Sequence, residues 1–209
     1  MNDPKKIQEL ANLYPFPQKK PDLLFNPGGW FPECNQAVLS EFLNTDTKVV
    51  LELGAWIGLS TRWISDRAPK ARVITIDHWL GSPENANDPL IPVLYDQFIT
   101  NCWNYKDRII PLRASTVKGV DIIKQLGIKP DVIYVDAGHD YDSVVRDVRM
   151  CTEFGCPMVG DDFNPNSWPG VVKAVWEEAV MAQRILQIRG SAWSMEHGQE
   201  MVACTSTPS

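Results

Sequence analysis

From residue 48 onward, short and nearly continuous apolar runs alternate with longer segments in which apolar residues recur every three or four positions. The short runs are typical of strands buried on both faces, and the longer segments are typical of helices. The predicted strands cover residues 49–54, 72–77, 109–113, 131–136 and 156–162. The predicted helices cover residues 58–68, 90–105, 115–126, 141–153 and 168–183. This alternation predicts an α/β fold, with a doubly wound, mostly parallel, Rossmann-like sheet and helices on both faces.

The C-terminal part of the chain departs from the alternation. Two further apolar runs, 185–188 and 201–204, have no long helix between them. Parallel neighbours need a long crossover, so strands joined without one are expected to pair antiparallel. The pattern therefore predicts a C-terminal antiparallel hairpin that closes one edge of a sheet of seven strands in total.

The first 47 residues differ from the rest in composition. Six of the sixteen prolines lie within the first 32 residues. Because proline breaks both helices and strand ladders, this stretch is predicted to be mostly irregular, with a helix following at about 34–44. Several of its aromatic side chains should pack on the main domain or cover a ligand; they belong to Tyr14, Phe16, Trp30 and Phe31. We therefore divide the chain into a proline-rich and helical lid segment, 1–47, and a main domain, 48–209.

The charge balance and the cysteines narrow the class of protein. The chain has 20 basic and 26 acidic side chains, which gives a net charge of −6 at pH 7. Phosphate binding needs Lys and Arg, so a nucleic-acid partner is disfavoured. No apolar run is long enough to span a bilayer, and the N-terminus lacks the apolar core of a signal peptide. The five cysteines show no close pairing, which fits a reducing compartment. We expect a cytoplasmic protein with no membrane partner.

The segment that follows the first strand is a candidate ligand loop, because open parallel sheets bind ligands beyond the carboxyl ends of their strands. It runs from Glu52 to Gly58, and its glycines Gly54 and Gly58 allow a sharp turn close to a ligand. The following helix would point its amide groups at that ligand. Trp56 stands where dinucleotide-binding loops usually carry glycine, so the G-x-G-x-x-G spacing is missing. Alone, this segment suits a cofactor loop or a plain strand-to-helix turn.

The second strand delivers further groups to the same edge. An acid at its end, Asp77, could accept hydrogen bonds from the two hydroxyls of a ribose, or it could cap the N-terminus of a helix. Trp79 is equally consistent with stacking on an adenine and with packing in the core. These readings stay open on the residues alone.

Three carboxylates are expected to meet where the fourth and fifth strands end, since Asp136 ends one and Asp161 and Asp162 end the other. Neighbouring strands lie about 5 Å apart, and like charges so close repel unless they are protonated or bridged by a cation. A hard divalent cation such as Mg²⁺ takes oxygen ligands. Nearby His139 is of the residue type that accepts a proton from a hydroxyl near neutral pH. The alternative is that these acids and His139 cap helices, pack or face solvent.

With these motifs in place, about residues 48–205 resemble the class I S-adenosylmethionine-dependent methyltransferases. The resemblance rests on E-L-G-A-W-I-G-L-S-T, V-I-T-I-D-H-W, R-A-S, D-V-I-Y-V-D-A-G-H-D-Y and V-G-D-D-F. It implies that the glycine loop holds the methionine part of the cofactor, Asp77 the ribose, and Ala114 with Ser115 the adenine. The implied cofactor-binding residues are Glu52, Gly54, Ala55, Trp56, Gly58, Ser60, Thr61, Asp77, His78, Trp79, Ala114, Ser115 and Asp136.

A narrower resemblance comes from D-A-G-H-D-Y-x-x-V-x-x-D, V-G-D-D-F and W-P-G-V-x-x-A-V. These segments are similar to the metal-dependent small-molecule O-methyltransferases related to the macrolide-sugar enzymes. The resemblance implies that Asp136, Asp161 and Asp162 hold Mg²⁺ or another hard divalent cation and that His139 is the general base. The implied acceptor is the hydroxyl of a small molecule, such as a sugar, a polyketide or a phenol. A homodimer is a further hypothesis.

Other classes remain open at this stage. They are a metal-independent methyltransferase of the same fold, a nicotinamide-dependent oxidoreductase and a non-catalytic cofactor-binding module. The missing G-x-G-x-x-G weighs against the oxidoreductase, and the expected clustering of acids with His139 weighs against the inert module. The acidic net charge and the absence of an N-P-P-Y-like tetrapeptide weigh against methylation of nucleobases.

Overall fold

The computed structural model describes residues 2–197 and contains a single seven-stranded sheet flanked by helices. The strands are β1 Val49–Leu53, β2 Arg72–Asp77, β3 Ile109–Arg113, β4 Val132–Val135, β5 Met158–Gly160, β6 Arg184–Arg189 and β7 Ala192–His197. The α-helices are α1 Pro4–Leu13, α2 Glu33–Ser40, α3 Leu59–Arg67, α4 Leu94–Asn101, α5 Thr116–Leu126, α6 Tyr141–Thr152 and α7 Pro169–Met181. None of the helices within this range is long and apolar enough to cross a membrane.

The strand order is β3-β2-β1-β4-β5-β7-β6, which is the predicted doubly wound α/β arrangement. Strands β1 to β5 run parallel, and β7 lies antiparallel to both of its neighbours. The order reverses between β1 and β4, so the carboxyl ends of these two strands flank the crevice in which such sheets bind ligands. The fold class predicted from the apolar pattern is confirmed.

Alternation along each strand divides the core into two layers, one on each face of the sheet. In β1, Leu51 and Leu53 face the layer formed with α1, α5, α6 and α7, whereas Val50 faces the layer formed with α2, α3 and α4. Every residue of β1 is buried, as expected for the central strand of a parallel sheet. The carboxyl ends of the strands are therefore held rigidly from both sides.

The N-terminal segment is more regular than its prolines suggest. Residues 4–13 form α1, because Pro4 lies in the first turn, where a helix tolerates proline, and the Asp3 carboxylate caps the N–H of Lys5. Helix α1 packs on one face of the sheet through Leu10, and α2 packs on the other face through Leu39. The prediction that this stretch is mostly irregular is confirmed for residues 14–32, but it missed α1. The division at residue 47 and the lid role remain predictions.

Two other predicted elements differ in the structure. The helix expected at 90–105 is the shorter α4, flanked by the 3-10 turns Ile91–Val93 and Trp103–Tyr105. The predicted hairpin is present, but β6 pairs with β7 through a tight turn at Gly190, which has a positive φ of 64°. Residues 201–204, the expected partner strand, lie outside the described range.

Candidate active site

The carboxyl ends of β1 to β5 open onto a cavity of about 1040 Å³. Its wall includes the loop after β1, the ends of β2 and β3, the β4–α6 loop and the residues that follow β5. Most of the site residues predicted from the sequence line it. They are Gly54, Ala55, Trp56, Ser60, Asp77, His78, Ala114, Ser115, Asp136, His139, Asp161 and Asp162.

Gly54 brings the backbone of the first loop against the end of β4. It has a φ of +83°, and a Cβ added to it would lie 1.8 Å from the carbonyl oxygen of Asp136. Neither residue can move cheaply, because Gly54 and Asp136 directly follow the last paired residues of β1 and β4. The close approach therefore requires glycine at this position, and the loop presents bare backbone to the cavity.

Asp77 fixes the shape of the same loop. One carboxylate oxygen, Oδ2, accepts hydrogen bonds from the amides of Ala55 and Trp56 at 2.9 and 3.0 Å, and Oδ1 accepts one from the amide of Trp79 at 2.6 Å. Trp56 and Trp79 both have left-handed backbones, with φ of 47° and 50°. Such conformations are costly for bulky residues and persist only when neighbouring groups hold them. Asp77 supplies that support and still lines the cavity.

Glu52 lies beneath the loop rather than in the cavity. Its carboxylate is fully buried and accepts hydrogen bonds from Ser60 Oγ and Thr61 Oγ1, each at 2.6 Å. Burial raises the pKa of Glu52 to about 7, although the hydrogen bonds from Ser60 and Thr61 act to lower it. This carboxylate anchors the first turn of α3 to β1, and it has no open path to a ligand.

Asp136, His139 and Asp162 converge at the other side of the cavity. Each offers a ligand atom, and these atoms all lie within 4.8 Å of one another. His139 Nε2 lies 3.0 Å from Asp162 Oδ2. The convergence follows from the parallel pairing of β4 with β5, whose last paired residues are Val135 and Gly160. Asp162 adopts a left-handed backbone with φ of 65°, which aspartate tolerates better than most residues.

Asp161 lines the cavity but is engaged differently. Its Oδ1 accepts hydrogen bonds from Ser191 Oγ at 2.6 Å and from the amide of Asp162 at 2.7 Å. Within residues 2–197, it does not belong to the group of side chains whose ligand atoms converge. Asp161 thus ties the end of β5 to the β6–β7 turn and lies beside the cluster.

The cluster is electrostatically strained. Burial raises the pKa of Asp136 well above its usual value, and the charges of Asp161 and Asp162 raise it further. Burial lowers the pKa of His139, but the hydrogen bond and the charge of Asp162 outweigh this and leave it raised. Carboxylates packed this closely are stabilised by a positive charge between them. The two carboxylates of the cluster fit a hard divalent cation such as Mg²⁺. The imidazole of His139 is a ligand type of transition metals, so it fits beside a Mg²⁺ ion better than on it.

A comparison with protein families decides the class. The profile of the family described as "Methyltransferase domain" matches residues 51–163, which is more than half of the chain and spans the whole cavity edge from β1 to β5. The chain belongs to the class I S-adenosylmethionine-dependent methyltransferases. No curated protein sequence matches it.

Solved structures share the fold of this methyltransferase. The TDP-rhamnose 3′-O-methyltransferase of calicheamicin biosynthesis has a TM-score of 0.58 at 13% identity, covering 95% of this chain and 97% of the other. The Methanococcus jannaschii fibrillarin pre-rRNA processing protein has a TM-score of 0.50 at 16% identity, covering 73% and 66%. The mycinamycin-pathway methyltransferase MycE, in complex with Mg and SAH, has a TM-score of 0.50 at 16% identity, covering 95% and 50%. Identities this low establish the fold alone.

The structure brings some of the predicted cofactor residues of the methyltransferase to the cavity and not others. Glu52, Gly58, Thr61 and Trp79 do not line it. Trp79 is 2% exposed, packs on Phe98, and donates its indole N–H to the carbonyl oxygen of Trp56 at 2.9 Å. It is a core residue that supports the loop, so its ring is not available to stack on an adenine.

Several cavity residues were missed by the sequence reading. Trp168 packs against the His139 ring with 4.2 Å between ring centroids, and its position just before Pro169 in the W-P-G-V segment was an available signal. Ser191 reaches Asp161 only because of the β6–β7 turn, and no local pattern indicates this contact. Glu84 and Arg146 also line the cavity. Arg146 stands at an unspecified position of the D-A-G-H-D-Y-x-x-V-x-x-D segment, so that pattern did not single it out.

Proposed function

We propose that this methyltransferase transfers a methyl group to the hydroxyl of a small molecule with the help of Mg²⁺. The observation that carries the proposal is the convergence of Asp136, His139 and Asp162 within 4.8 Å at the wall of the cofactor-sized cavity. Two carboxylates and an imidazole at one point suit cation binding and proton transfer together.

The donor is assigned to the β1–β3 side of the cavity. Support comes from the bare backbone at Gly54, the Asp77 carboxylate beside it, and Ala114 with Ser115 at the end of β3. When bound, S-adenosylmethionine supplies a methyl group on a sulfonium centre. The backbone of the glycine loop limits how far the donor can shift, which favours a fixed approach of the two reactants.

Asp136 and Asp162 would hold the Mg²⁺, with His139 beside them and Asp161 behind. The ion would supply Lewis-acid polarisation of the acceptor hydroxyl. Asp136 contributes a half-buried carboxylate, and Asp162 contributes one whose oxygen converges on the same point. The raised pKa of Asp136, caused first by burial and then by its acidic neighbours, is the strain that a cation would relieve.

His139 is proposed to accept the acceptor proton at Nε2. The Asp162 carboxylate, 3.0 Å away, stabilises the imidazolium that results, and Trp168 restrains the ring from its face. As the proton leaves, the acceptor oxygen forms a bond to the methyl carbon and the sulfur–carbon bond breaks. His139 Nδ1 is buried and has no hydrogen-bond partner among residues 2–197, so the acceptor proton is assigned to Nε2. An ionised carboxylate only accepts hydrogen bonds, so Nε2 would be free to take this proton when Asp162 Oδ2 turns from it to the cation.

The acceptor is proposed to be a small hydroxylated molecule, such as a sugar, a polyketide or a phenol, rather than a nucleic acid. The net charge of −6 supports this assignment, and so do the aromatic side chains of Trp30, Trp56 and Trp168 in the cavity wall. Trp30 packs on Trp56 with 5.7 Å between centroids. We propose that residues 14–35 and 80–92 cover the acceptor as a lid, since both reach the cavity.

The test is transfer of labelled methyl from S-adenosylmethionine to a panel of catechols, flavonoids and methyl glycosides, with EDTA and with Mg²⁺ restored. We expect EDTA to abolish transfer and Mg²⁺ to restore it. Calorimetric binding of S-adenosylhomocysteine in EDTA is the control that the donor site remains intact. Transfer that is unchanged in EDTA would remove Mg²⁺ from the proposal.

A metal-independent transfer is the second candidate, favoured by the 3.0 Å His139–Asp162 pair, which can accept a proton without a cation. The two candidates differ in one pair of measurements. Activity that resists EDTA but is lost in His139→Ala supports the second candidate, whereas loss in both conditions supports the first.

A further inference from the structure

A chain of two hydrogen bonds connects helix α2 to the cluster at the cavity wall. Asn35 Nδ2 donates to the phenol oxygen of Tyr134 at 3.2 Å, and Tyr134 Oη donates to Asp136 Oδ2 at 3.2 Å. Asn35 and Tyr134 are both completely buried, with 0% exposure. Neither residue lines the cavity, so the chain approaches Asp136 from behind.

The direction of the chain is set by chemistry. Tyr134 Oη donates to Asp136 Oδ2. A carboxylate that binds a cation is ionised and only accepts hydrogen bonds, so this direction suits the cation-binding form of Asp136. The phenol oxygen then accepts from the Asn35 amide. Asn35 Oδ1 is left without a partner among residues 2–197, which is costly for a buried polar atom. The structure tolerates this cost at a side chain that donates to Tyr134 from α2.

We propose that Asn35 and Tyr134 are positioning residues, which hold the Asp136 carboxylate in the orientation that binds the divalent cation. This inference rests on the proposed metal-dependent function. It also gives the N-terminal segment a second role, because Asn35 belongs to α2 and supports the cluster from outside the main domain.

The surroundings keep the two side chains in place. The ring of Phe31 packs edge-on against Tyr134, with 5.6 Å between centroids, and α2 packs against β5 and β7. The phenol therefore has little freedom to swing away from Asp136. Groups that orient a metal ligand in this way typically change metal affinity by about 10- to 100-fold when removed.

The test is calorimetric titration of MgCl₂ into the full-length protein saturated with S-adenosylhomocysteine. Tyr134→Phe keeps the ring and removes only the hydroxyl, so the fold is expected to survive. We expect it to bind Mg²⁺ about 10-fold more weakly, while its affinity for S-adenosylhomocysteine stays within about 2-fold of wild type. Asn35→Ala should also weaken Mg²⁺ binding, but by less, and it should leave the affinity for S-adenosylhomocysteine within the same 2-fold limit.

Tyr105→Phe is the matched control, because it removes a hydrogen bond of the same kind, from Tyr105 to Asp66 at 2.7 Å, away from the cavity. It should leave both affinities unchanged. Equal Mg²⁺ affinity in wild type and Tyr134→Phe would overturn the positioning role and leave the proposed function standing. A wild-type protein that binds no Mg²⁺ would overturn both. Parallel loss of both affinities would show a structural role only.

Discussion

The two sides of the cavity treat their carboxylates in opposite ways. On the glycine-loop side, Glu52 accepts hydrogen bonds from two side-chain hydroxyls, and Asp77 accepts hydrogen bonds from three backbone amides. On the other side, Asp136 accepts one hydrogen bond from the phenol of Tyr134, and Asp162 contacts the imidazole of His139. The ligand atoms of Asp136, His139 and Asp162 all lie within 4.8 Å of one another. The chain supplies the first pair of carboxylates with more hydrogen-bond donors than the second pair.

The difference separates support from chemistry. A carboxylate surrounded by the donors of its own chain fixes the backbone around it and has few lone pairs left for a ligand. Carboxylates that face each other across a few ångströms keep their capacity for a cation or a proton. The protein thus uses acids on one side to hold the loop beside the donor and on the other side to assemble a reactive cluster.

The largest expected effect is on turnover, in Asp162→Asn. Asparagine accepts the left-handed backbone at this position, so the change removes charge and little else. We expect the rate of methyl transfer to fall about 1000-fold, through weaker cation binding and a less basic His139. S-adenosylhomocysteine affinity should hold. Asp142→Asn, at an exposed acid on α6, is the control. An equal loss of turnover in both variants would contradict the reactive role of the Asp136–His139–Asp162 cluster.

Gly54→Ala should disrupt the supporting side. A Cβ at this position would meet the backbone of Asp136 at 1.8 Å, in addition to the strain of a positive φ. We expect a loss of about 3 to 4 kcal/mol in unfolding free energy and weaker S-adenosylhomocysteine binding. Gly127→Ala has a similar φ of +64° but meets only the flexible end of Lys6, so it measures the φ penalty alone. Similar losses in both variants would show that no close approach exists at Gly54.

Glu52→Gln tests whether the buried carboxyl group makes the stability of the fold depend on pH. The pKa of Glu52 is raised by burial from its ordinary value of 4.5 to about 7. Between these two values the unfolded chain releases the proton and the folded chain keeps it, so stability falls as pH rises. The free energy of unfolding is therefore expected to be about 3 kcal/mol lower above pH 7 than below pH 4.5.

Denaturant unfolding at pH 5 and pH 8 is the corresponding measurement. Wild type should be less stable at pH 8, and Glu52→Gln should lose part of that difference, because glutamine stays neutral at both values. The turnover of the variant should change little, since Glu52 does not line the cavity. An unchanged pH dependence of stability would show that Glu52 does not retain its proton.

Thr61→Val should have the smallest effect. It keeps the branched shape but removes one hydroxyl that donates to Glu52 at 2.6 Å. We expect a cost of roughly 1 to 2 kcal/mol, with turnover unchanged. Thr152→Val removes a hydroxyl that donates to the Val148 carbonyl at 2.9 Å, and its smaller cost serves as the reference. Equal costs would mean that the Glu52 charge adds nothing to the bond.

The sequence was most informative where strand order decided the outcome. Asp136 and Asp162 end adjacent parallel strands, so their meeting follows from the apolar pattern and the rule that ligands bind at strand ends. Glu52 and Trp79 were predicted to bind the cofactor, but the structure buries both. A residue near a loop can point into the cavity or under the loop, and sequence spacing does not distinguish these directions.

Contacts between distant segments were beyond the sequence. Asn35 reaches Tyr134 across 99 positions of the chain, and Ser191 reaches Asp161 because a tight turn returns β7 to β5. Such contacts depend on tertiary packing and leave no periodic or compositional signal. The N-terminal helix α1 was missed for a local reason, since Pro4 was read as a breaker although it stands in a first turn.

The most direct test of the account is a crystal structure grown with S-adenosylhomocysteine and Mn²⁺, with anomalous diffraction to locate the metal. The account predicts one peak in the cavity, roughly 2.0 to 2.6 Å from carboxylate oxygens of both Asp136 and Asp162. A cavity that holds S-adenosylhomocysteine but shows no anomalous peak beside these residues at saturating Mn²⁺ would contradict it.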